Sequence, residues 1–315
     1  MKHTWTVESE DSRKRLDIFL SEKMPEVTRS QVAKLLKYGA GKVNGKPVTV
    51  HRFLNTKDKV EFDEGFKRAD AKAAKGEASG KSTDLPPLVI VDENPDYLVI
   101  DKPTGLLVHP DSNQQSGTLV DLLLDFDPKI AKIGEYPERP GIMHRLDREV
   151  SGLMVVARTQ DAFDDLKRQF AEHSVDKKYL ALVHGEMNQD EGDIKFRIAH
   201  SKTKNRMAAR PKHEEEGKAA WTHYVVLKRF RHATLVELSI FSGRTHQIRA
   251  HLLALGHPVM GDELYAPKQP GRSLKAPRLM LQCIELGFKD PKSGEPKEYK
   301  LKPVNAFAEM QKKLS

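Results

Sequence analysis

The sequence has only one cysteine, Cys283, in 315 residues. A single cysteine excludes an intrachain disulfide and a cysteine-rich metal site. The histidines His246 and His251 are five residues apart, whereas a helical zinc pair is spaced by four, so we predict no metal site. No run approaches the roughly 18 consecutive apolar residues of a membrane-spanning helix. The first residues carry no apolar signal core. These absences predict a cytoplasmic protein, and we expect a monomer.

Acidic residues are in the minority, with 45 Asp and Glu against 53 Lys and Arg. The formal net charge is +8 and the pI is about 9.3. Such an excess of positive charge favours contact with a polyanion, and RNA is the natural candidate. The alternative is a generally basic surface that serves only solubility.

One segment, residues 64–84, lacks the apolar side chains that a folded core needs. It contains a single large apolar residue, Phe66, and is rich in Ala, Lys, Gly and Ser. Such a segment cannot bury enough surface to offset the entropy that is lost on ordering. We therefore predict a small domain at 1–63, a flexible linker at 64–84 and a large domain at 85–315.

The N-terminal segment has the pattern of two short helices followed by a hairpin. Apolar residues share one face in each predicted helix: Leu16, Phe19 and Leu20 in the first, and Val32, Leu35 and Leu36 in the second. Gly39 is predicted to end the second helix, and Asn44-Gly45 predicts a tight turn between strands. Between Arg29 and Lys59 lie eight basic residues and one acid, which suits contacts with a phosphate backbone.

Three motifs of this segment resemble an S4 RNA-binding domain: R-L-D-I-F-L, T-R-S-Q-V-A-K-L-L-K-Y-G and V-N-G-K. The resemblance covers about Arg15 to Phe62 and implies a small α/β domain that binds RNA through Arg29, Lys34 and Lys37. It departs at Thr28, where Ser is usual, and at 57–60, where Gly-Asp is usual. A solvated basic helix without a partner is the alternative.

The large C-terminal segment mixes strand and helix patterns in an irregular order. Short aliphatic runs at 88–91, 97–100 and 153–156, and an alternating pattern at 236–240, predict strands. Apolar residues at helical spacing predict one helix after Asp161, which we interpret as its cap, and another that ends at Gly256. Because strands and helices do not alternate regularly, the pattern predicts an α+β fold.

The densest polar segment is G-I-M-H-R-L-D-R-E-V-S-G-L-M-V-V-A-R, at 141–158. It places Asp147 directly before a strand of the buried type, and loops at strand ends often carry catalytic groups. From these residues alone, a cap or turn residue is the commoner role of such an Asp.

Five motifs, in order, resemble the pseudouridine synthases of the RluA family. H-R-L-D-x-x-x-S-G-L contains Asp147, and the others are D-K-P-T-G-L-L-V-H, K-K-Y-L-A-L-V-H-G, S-G-R-T-H-Q-I-R-A-H-L and G-H-P-V-M-G-D. The match spans about 88 to 301, and its clearest departure is Val150, where Thr is usual. The resemblance implies a pseudouridine synthase fold with a mixed, mostly antiparallel sheet. It also implies isomerisation of specific uridines in structured RNA, with large-subunit ribosomal RNA the first expectation and transfer RNA the second.

The same resemblance implies a role for each of five residues. Asp147 is the catalytic carboxylate, either as a nucleophile at C1′ or as a base that removes a sugar proton. Tyr179 stacks on the target base, and Arg244 pairs with the carboxylate. Arg145 fills the space left by the flipped nucleotide, and Ile248 forms a pocket wall. No cofactor is implied, because the base stays in the pocket throughout and no redox step occurs.

Two alternatives of other classes stay open. A non-catalytic RNA-binding or ribosome-assembly protein could retain the fold; the loss of Asp147, Tyr179 or Arg244 would favour it, and all three are present. A glycosidase-like hydrolase usually requires a carboxylate pair, and no second acid in the motifs stands out as the partner.

Outside these motifs, residues 195–213 add seven Lys and Arg residues and no acid. This charge predicts an RNA-facing loop. A solvated loop without a partner is the alternative.

Overall fold

The computed structural model describes residues 2–12, 14–27, 31–32, 35–36, 39–48, 52, 54–64, 85–111, 114, 116–201, 203, 206–210, 216–265 and 275–315. The chain divides into two compact units, Met1–Thr83 and Asp84–Ser315. Apart from Glu64, the predicted linker lies outside the described residues, so it stays a prediction. Within the described ranges, none of the helices has the length and hydropathy needed to cross a membrane.

The N-terminal unit is built on a four-stranded antiparallel sheet. Its strands are β1 Lys2–Thr6, β2 Gly41–Val43, β3 Lys46–Pro47 and β4 Lys59–Asp63, in the order β1-β4-β2-β3. Helix α1, Leu16–Lys23, packs Phe19 and Leu20 into the core of this unit. Asn44 and Gly45, both with positive φ, form the turn between β2 and β3, as the Asn-Gly pair predicts.

The basic residues predicted to bind RNA belong to this unit. Arg29, Lys34 and Lys37 lie outside the described residues, so their role stays a prediction. Val32 and Leu36, which flank them, are buried in the core of the unit as their spacing predicts.

The C-terminal unit is built on a nine-stranded sheet. Its strands are β5 Val89–Glu93, β6 Tyr97–Lys102, β7 Ser151–Ala157, β8 Asp176–His184, β9 Glu191–Ile194, β12 Thr222–Phe230, β13 Ala233–Ile240, β14 Leu281–Lys289 and β15 Pro296–Lys300. They lie in the order β5-β6-β7-β14-β8-β13-β12-β9, with β15 beside β14. Among the described strand pairs of this sheet, only β7 and β14 run parallel. The prediction of an α+β fold with a mixed, mostly antiparallel sheet is confirmed.

A separate antiparallel hairpin joins β10, Arg197–His200, to β11, Met207–Arg210. The prediction of a loop at 195–213 was therefore wrong for these eight residues. Ile198, Met207 and Ala209 lie at alternate positions or across the pair from one another, and these three side chains join one small apolar cluster.

Four helices belong to this unit in the described ranges: α2 Leu119–Phe126, α3 Gln160–Ala171, α4 Gln247–Ala254 and α5 Asn305–Leu314. Helix α3 is capped by Thr159, whose side chain accepts a hydrogen bond from the Ala162 amide at 3.3 Å. The interpretation of Asp161 as the cap was wrong; it lies in the first turn, where the helix dipole favours a negative charge.

One cross-strand row organises the centre of the sheet. Gly152 of β7, Cys283 of β14, Tyr179 of β8 and Leu238 of β13 are neighbours in register. Gly152 has a φ of 118°, and a Cβ there would lie 2.1 Å from the Cys283 carbonyl oxygen, so only glycine fits. The loop that carries Asp147 enters the sheet at this row. The row therefore brings the loop before β7 close to the middle of β8.

Candidate active site

A cavity of about 450 Å³ opens between the loop before β7, the start of β8 and the beginning of α4. Its volume is in the range of small-molecule sites. The five site residues predicted in this unit all line it: Asp147, Tyr179, Arg244, Arg145 and Ile248. The structure thus brings together residues that lie up to 103 positions apart in the chain, from 145 to 248.

Asp147 is bound by a buried arginine, Arg249. Nη1 of Arg249 donates to Oδ2 of Asp147 at 3.2 Å. Nε and Nη2 of the same guanidinium donate to the two carboxylate oxygens of Asp262 at 2.7 and 2.9 Å. Burial lowers the pKa of Arg249, but the hydrogen bonds and charges of Asp262 and Asp147 outweigh it and raise that pKa. One charged guanidinium therefore links two carboxylates, and only Asp147 faces the cavity.

Arg244 was predicted to pair with Asp147, but in the structure it has other partners. Nε of Arg244 donates to the Ala219 carbonyl at 3.1 Å, and its amide donates to Gln247. Arg244 precedes α4 in a loop, whereas Arg249 lies on the buried side of that helix. The motif contains both arginines, and sequence spacing does not tell which one faces the carboxylate. A signal was available in Asp262, an acid in an otherwise apolar motif that needs a buried cation.

His246 lies on the other side of Asp147. Its backbone is left-handed, with a φ of 53°, which is uncommon for a residue with a Cβ. Nε2 is 3.8 Å from Oδ2 of Asp147, and Nδ1 is 3.1 Å from the Tyr265 hydroxyl, which itself donates to the Met207 carbonyl. Since that hydroxyl proton is already used, Nδ1 donates, and Nε2 carries a proton only in the imidazolium form. Burial lowers the pKa of His246. Over the described ranges, no cluster of three His, Cys, Asp or Glu side chains suits a metal ion.

The loop that carries Asp147 is fixed by the loop after β6. Lys102 is fully buried, and its ammonium donates to the carbonyls of Pro103, Leu106 and Arg148 at 2.8, 2.8 and 3.2 Å. The Arg148 guanidinium donates back to the Gly105 carbonyl at 3.0 Å. The motif D-K-P-T-G-L therefore has a positioning role, because its lysine holds the backbone next to Asp147.

His144 fixes the same loop from its other end. Its Nε2 accepts a hydrogen bond from the Val155 amide of β7 at 3.0 Å, and its ring stacks on Phe170 with centroids 4.4 Å apart. Burial, together with the charge of Lys177, lowers the pKa of His144 to about 3. The ring is therefore neutral at pH 7 and serves as a structural acceptor.

This half-buried neutral histidine makes stability depend on pH. Between about pH 6.5 and 3, the unfolded chain binds a proton at His144 that the folded protein does not, so stability falls as the pH falls. The loss reaches up to about 1.4 kcal/mol per pH unit from this group. In His144→Gln, whose amide oxygen can still accept from Val155, urea unfolding at pH 7 and pH 5 should give a smaller loss than in the wild type. Equal losses in the two proteins would contradict this account.

Tyr179 forms part of the cavity from the strand side. It is 7% exposed, and burial, the neighbouring Cys283 and the charge of Asp147 raise its pKa well above the ordinary value. Cys283 is fully enclosed, and burial raises the pKa of its thiol to about 12. Cys283 is therefore unsuited to add to a uracil ring, because its thiol is protonated and does not line the cavity.

Arg145 and Ile248 lie on different parts of the cavity. Arg145 is exposed at the rim, where its Nη1 donates to Nε2 of His109 at 3.4 Å. Ile248, in the first turn of α4, is 6% exposed and gives the cavity an apolar wall. The rim arginine is free to meet a nucleic acid, and the wall suits the face of a flat base.

A second carboxylate, which the sequence analysis did not single out, lies near Asp147. Glu149 Oε2 is 3.9 Å from Nη1 of Arg249, the nitrogen that donates to Asp147. Its side chain is 52% exposed, and it does not line the cavity. A carboxylate pair that faces a common substrate, as a glycosidase requires, is therefore not formed by these two acids.

Comparisons with known proteins find similarity over both units. The family model described as RNA pseudouridylate synthase matches residues 96–254, and that of the S4 domain matches 14–60. An uncharacterized RNA pseudouridine synthase of Aquifex aeolicus is 38% identical over 95% of this chain and 93% of its own. A ribosomal large subunit pseudouridine synthase D of Nitrosomonas europaea is 37% identical over 89% of this chain and 78% of its own. The structure of human RNA pseudouridylate synthase domain containing 1 matches with a TM-score of 0.54 and 27% identity, over 71% of this chain and 94% of that chain.

Proposed function

The chain belongs to the RNA pseudouridylate synthase family, and we propose that Asp147 is the carboxylate with which it isomerises uridine in large-subunit ribosomal RNA. The observation that carries this proposal is the position of Asp147 on the cavity, bound to the buried Arg249 and facing Tyr179. An uncompensated charge inside such a cavity is costly, and the guanidinium of Arg249 offsets it.

The reaction is an isomerisation in which the N1–C1′ bond breaks and a C5–C1′ bond forms. Asp147 acts at the sugar, either by attack on C1′ or by removal of a sugar proton, and both routes need the carboxylate in its charged form. The proton on C5 must leave after the new bond forms, and N1, which is released from C1′, must take up a proton. His246 Nε2 and the Tyr179 hydroxyl are the groups beside Asp147 that can carry protons.

The base is held between the aromatic ring of Tyr179 and the apolar wall of Ile248. A planar base gains about 1–3 kcal/mol from stacking on an aromatic ring. Arg145, at the rim, occupies the space that the flipped uridine leaves in the RNA, and Arg244 contacts the RNA beside it. Extrusion of the base costs a few kcal/mol, and it costs least where the uridine is already unpaired.

Large-subunit ribosomal RNA is the substrate that the relatives favour. Relatives from Nitrosomonas europaea and Xanthomonas campestris carry the name ribosomal large subunit pseudouridine synthase D, at 37% and 35% identity. The S4 domain and the net charge of +8 suit a large, folded polyanion. The S4 domain adds phosphate contacts, and the cavity selects the uridine.

The proposal is tested with RNA transcribed in vitro, which carries no pseudouridine. The purified protein is incubated with transcripts of the large-subunit ribosomal RNA and, separately, of transfer RNAs, and pseudouridine is mapped by carbodiimide-stop sequencing. New stops at defined positions of the ribosomal transcript are expected. Stops only in transfer RNA would overturn the substrate, and stops in neither RNA, despite measured binding, would overturn the assigned activity.

Loss of the Tyr179 hydroxyl should separate catalysis from base binding. Tyr179→Phe keeps the stacking ring, so we expect the KM to stay within about twofold while the kcat falls about 10²-fold, the effect of removing one positioned proton-transfer group. Single-turnover and steady-state rates of pseudouridine formation measure the kcat and the KM. The substrate is the unmodified transcript in which the wild-type protein produces new stops. Tyr224→Phe, which removes a buried hydroxyl from β12 outside the cavity, is the matched control. An unchanged kcat in Tyr179→Phe would rule out the hydroxyl as a proton carrier.

A further inference from the structure

Two exposed aromatic rings lie together beside the cavity. Trp221, just before β12, and Phe241, just after β13, are each 38% exposed, and their ring centroids are 4.1 Å apart. Contiguous exposed apolar surface often marks a place where a ligand or partner binds. We call Trp221 and Phe241 the aromatic ledge.

The ledge is held rigidly. Nε1 of Trp221 donates to the carboxylate of Asp193 at 2.8 Å, and the Phe241 amide donates to the Trp221 carbonyl at 3.1 Å. Gln247, at the start of α4, donates to the same carbonyl at 3.0 Å and accepts from the Arg244 amide at 3.1 Å. These bonds hold the Trp221 ring and the backbone at Phe241 before any ligand binds, which lowers the entropy cost of binding.

The ledge is continuous with the cavity along the chain. Gly243 and Arg244 line the cavity, and Phe241 precedes Gly243 by two residues. Since consecutive Cα atoms are 3.8 Å apart, the Cα atoms of Phe241 and Gly243 are separated by at most about 7.6 Å. A strand that leaves the cavity past Gly243 and Arg244 therefore passes close to the ledge.

The charges around the ledge suit a nucleic acid strand. The Lys195 ammonium lies 4.1 Å from the centroid of the Trp221 ring. The carboxylate of Asp193 beside it accepts from Trp221 and lies 3.1 Å from His223. Lys195 is 3.7 Å from that carboxylate and its side chain is 46% exposed, so its ammonium is accessible to a phosphate. An aromatic ring with a neighbouring cation is the combination that binds a base and its phosphate in single-stranded nucleic acid.

We propose that the aromatic ledge is a binding site for an unpaired nucleotide of the substrate RNA that neighbours the target uridine, with its base stacked on the ledge and its phosphate near Lys195. This inference rests on the proposed cavity as the place where the target uridine binds. With this site, the enzyme recognises an unpaired nucleotide next to the target uridine as well as the target uridine itself. Stacking tolerates any base, so the ledge selects an unpaired strand, not a sequence.

Trp221 supplies a direct readout. The chain has two tryptophans, and Trp5→Phe leaves Trp221 as the only one. In a Trp5→Phe, Asp147→Asn protein, Trp221 fluorescence is titrated with octauridylate and with an abasic strand that has the same number of phosphates. Fluorescence anisotropy of labelled strands measures binding independently. Because Asp147 is replaced, the titration measures RNA binding without turnover. Its outcome therefore does not depend on whether Asp147 is the catalytic residue.

We expect octauridylate to quench Trp221 and the abasic strand to leave it unchanged. Phe241→Ala should weaken the binding of octauridylate about 5-fold or more. Phe126→Ala, which removes an exposed phenylalanine of α2, is the control and should bind like its parent. Saturated binding without quenching, or equal quenching by the abasic strand, would overturn the proposal. An unchanged affinity in both Phe241→Ala and Lys195→Ala would also overturn it.

Discussion

Replacement of Asp147 by asparagine should lower the rate of pseudouridine formation by at least about 10²-fold, since one positioned catalytic group typically contributes 10²–10⁴. The amide keeps the size of the side chain and loses the charge that both chemical routes require. Arg249 retains its two hydrogen bonds to Asp262, so the unfolding free energy should change little. RNA affinity should also be kept, because the substitution removes no cation. Single-turnover rates, urea unfolding and RNA binding by anisotropy measure the three quantities.

Glu149→Gln is the matched control for this experiment. Glu149 is a carboxylate near the same guanidinium nitrogen, but it is exposed and lies outside the cavity. We expect Glu149→Gln to keep nearly the full rate. If Asp147→Asn retained more than about a tenth of the wild-type rate, Asp147 would not be the catalytic carboxylate. If Glu149→Gln lost as much activity as Asp147→Asn, the catalytic role would have to be shared between the two acids.

Arg249→Met should have the largest effect on stability. Removal of the guanidinium leaves Asp262, whose side chain has no exposed surface, as a buried charge without its cation, although the amides of Leu264 and Tyr265 still donate to it. Breaking a buried ion pair by removing one partner typically costs about 3–5 kcal/mol. We expect a loss of this size in the free energy of unfolding by urea. Activity should fall to the level of Asp147→Asn, because Asp147 loses its cation.

Two further variants isolate the ion pair. Arg244→Met removes a more exposed arginine of the same motif and should lower stability by less than about 1 kcal/mol. Adding Asp262→Asn to Arg249→Met should recover part of the lost stability without recovering activity, since Asp147 remains unpaired. Equal stabilities for Arg249→Met and Arg244→Met would show that the Arg249 network does not stabilise the fold.

Much of the fold could be predicted from local patterns, and the failures have identifiable causes. The alternation at 236–240 and the aliphatic runs at 97–100 and 153–156 lie within strands because each pattern matches the burial of its own side chains. The parallel pairing of β7 with β14 could not be predicted, because it joins segments about 130 residues apart through two residue pairs. The cap of α3 was missed because Thr159 and Asp161 are both good capping residues, and sequence does not decide between them.

The candidate site was predicted as a set of residues but not as a network. The motifs named Asp147, Tyr179 and Ile248, and the cavity brings them together. They did not identify Arg249 as the cation that binds Asp147, because the motif contains two arginines and the sequence does not show that one precedes α4 while the other lies on its buried side. The aromatic ledge was not predicted either, because Trp221 and Phe241 are 20 positions apart in the sequence and lie at the ends of different strands.

The position of β14 between β7 and β8 has a consequence for synthesis of the protein. The loop of Asp147 and the strand of Tyr179 are separated in the sheet by β14, which is contributed by residues 281–289. A nascent chain that has not yet released this strand from the ribosome has no partner for either neighbouring edge, and long-range pairings of this kind form late in folding. Catalytic competence is therefore acquired only after residues 281–289 have left the ribosome. An emerging chain should be unable to modify RNA of the ribosome that is making it.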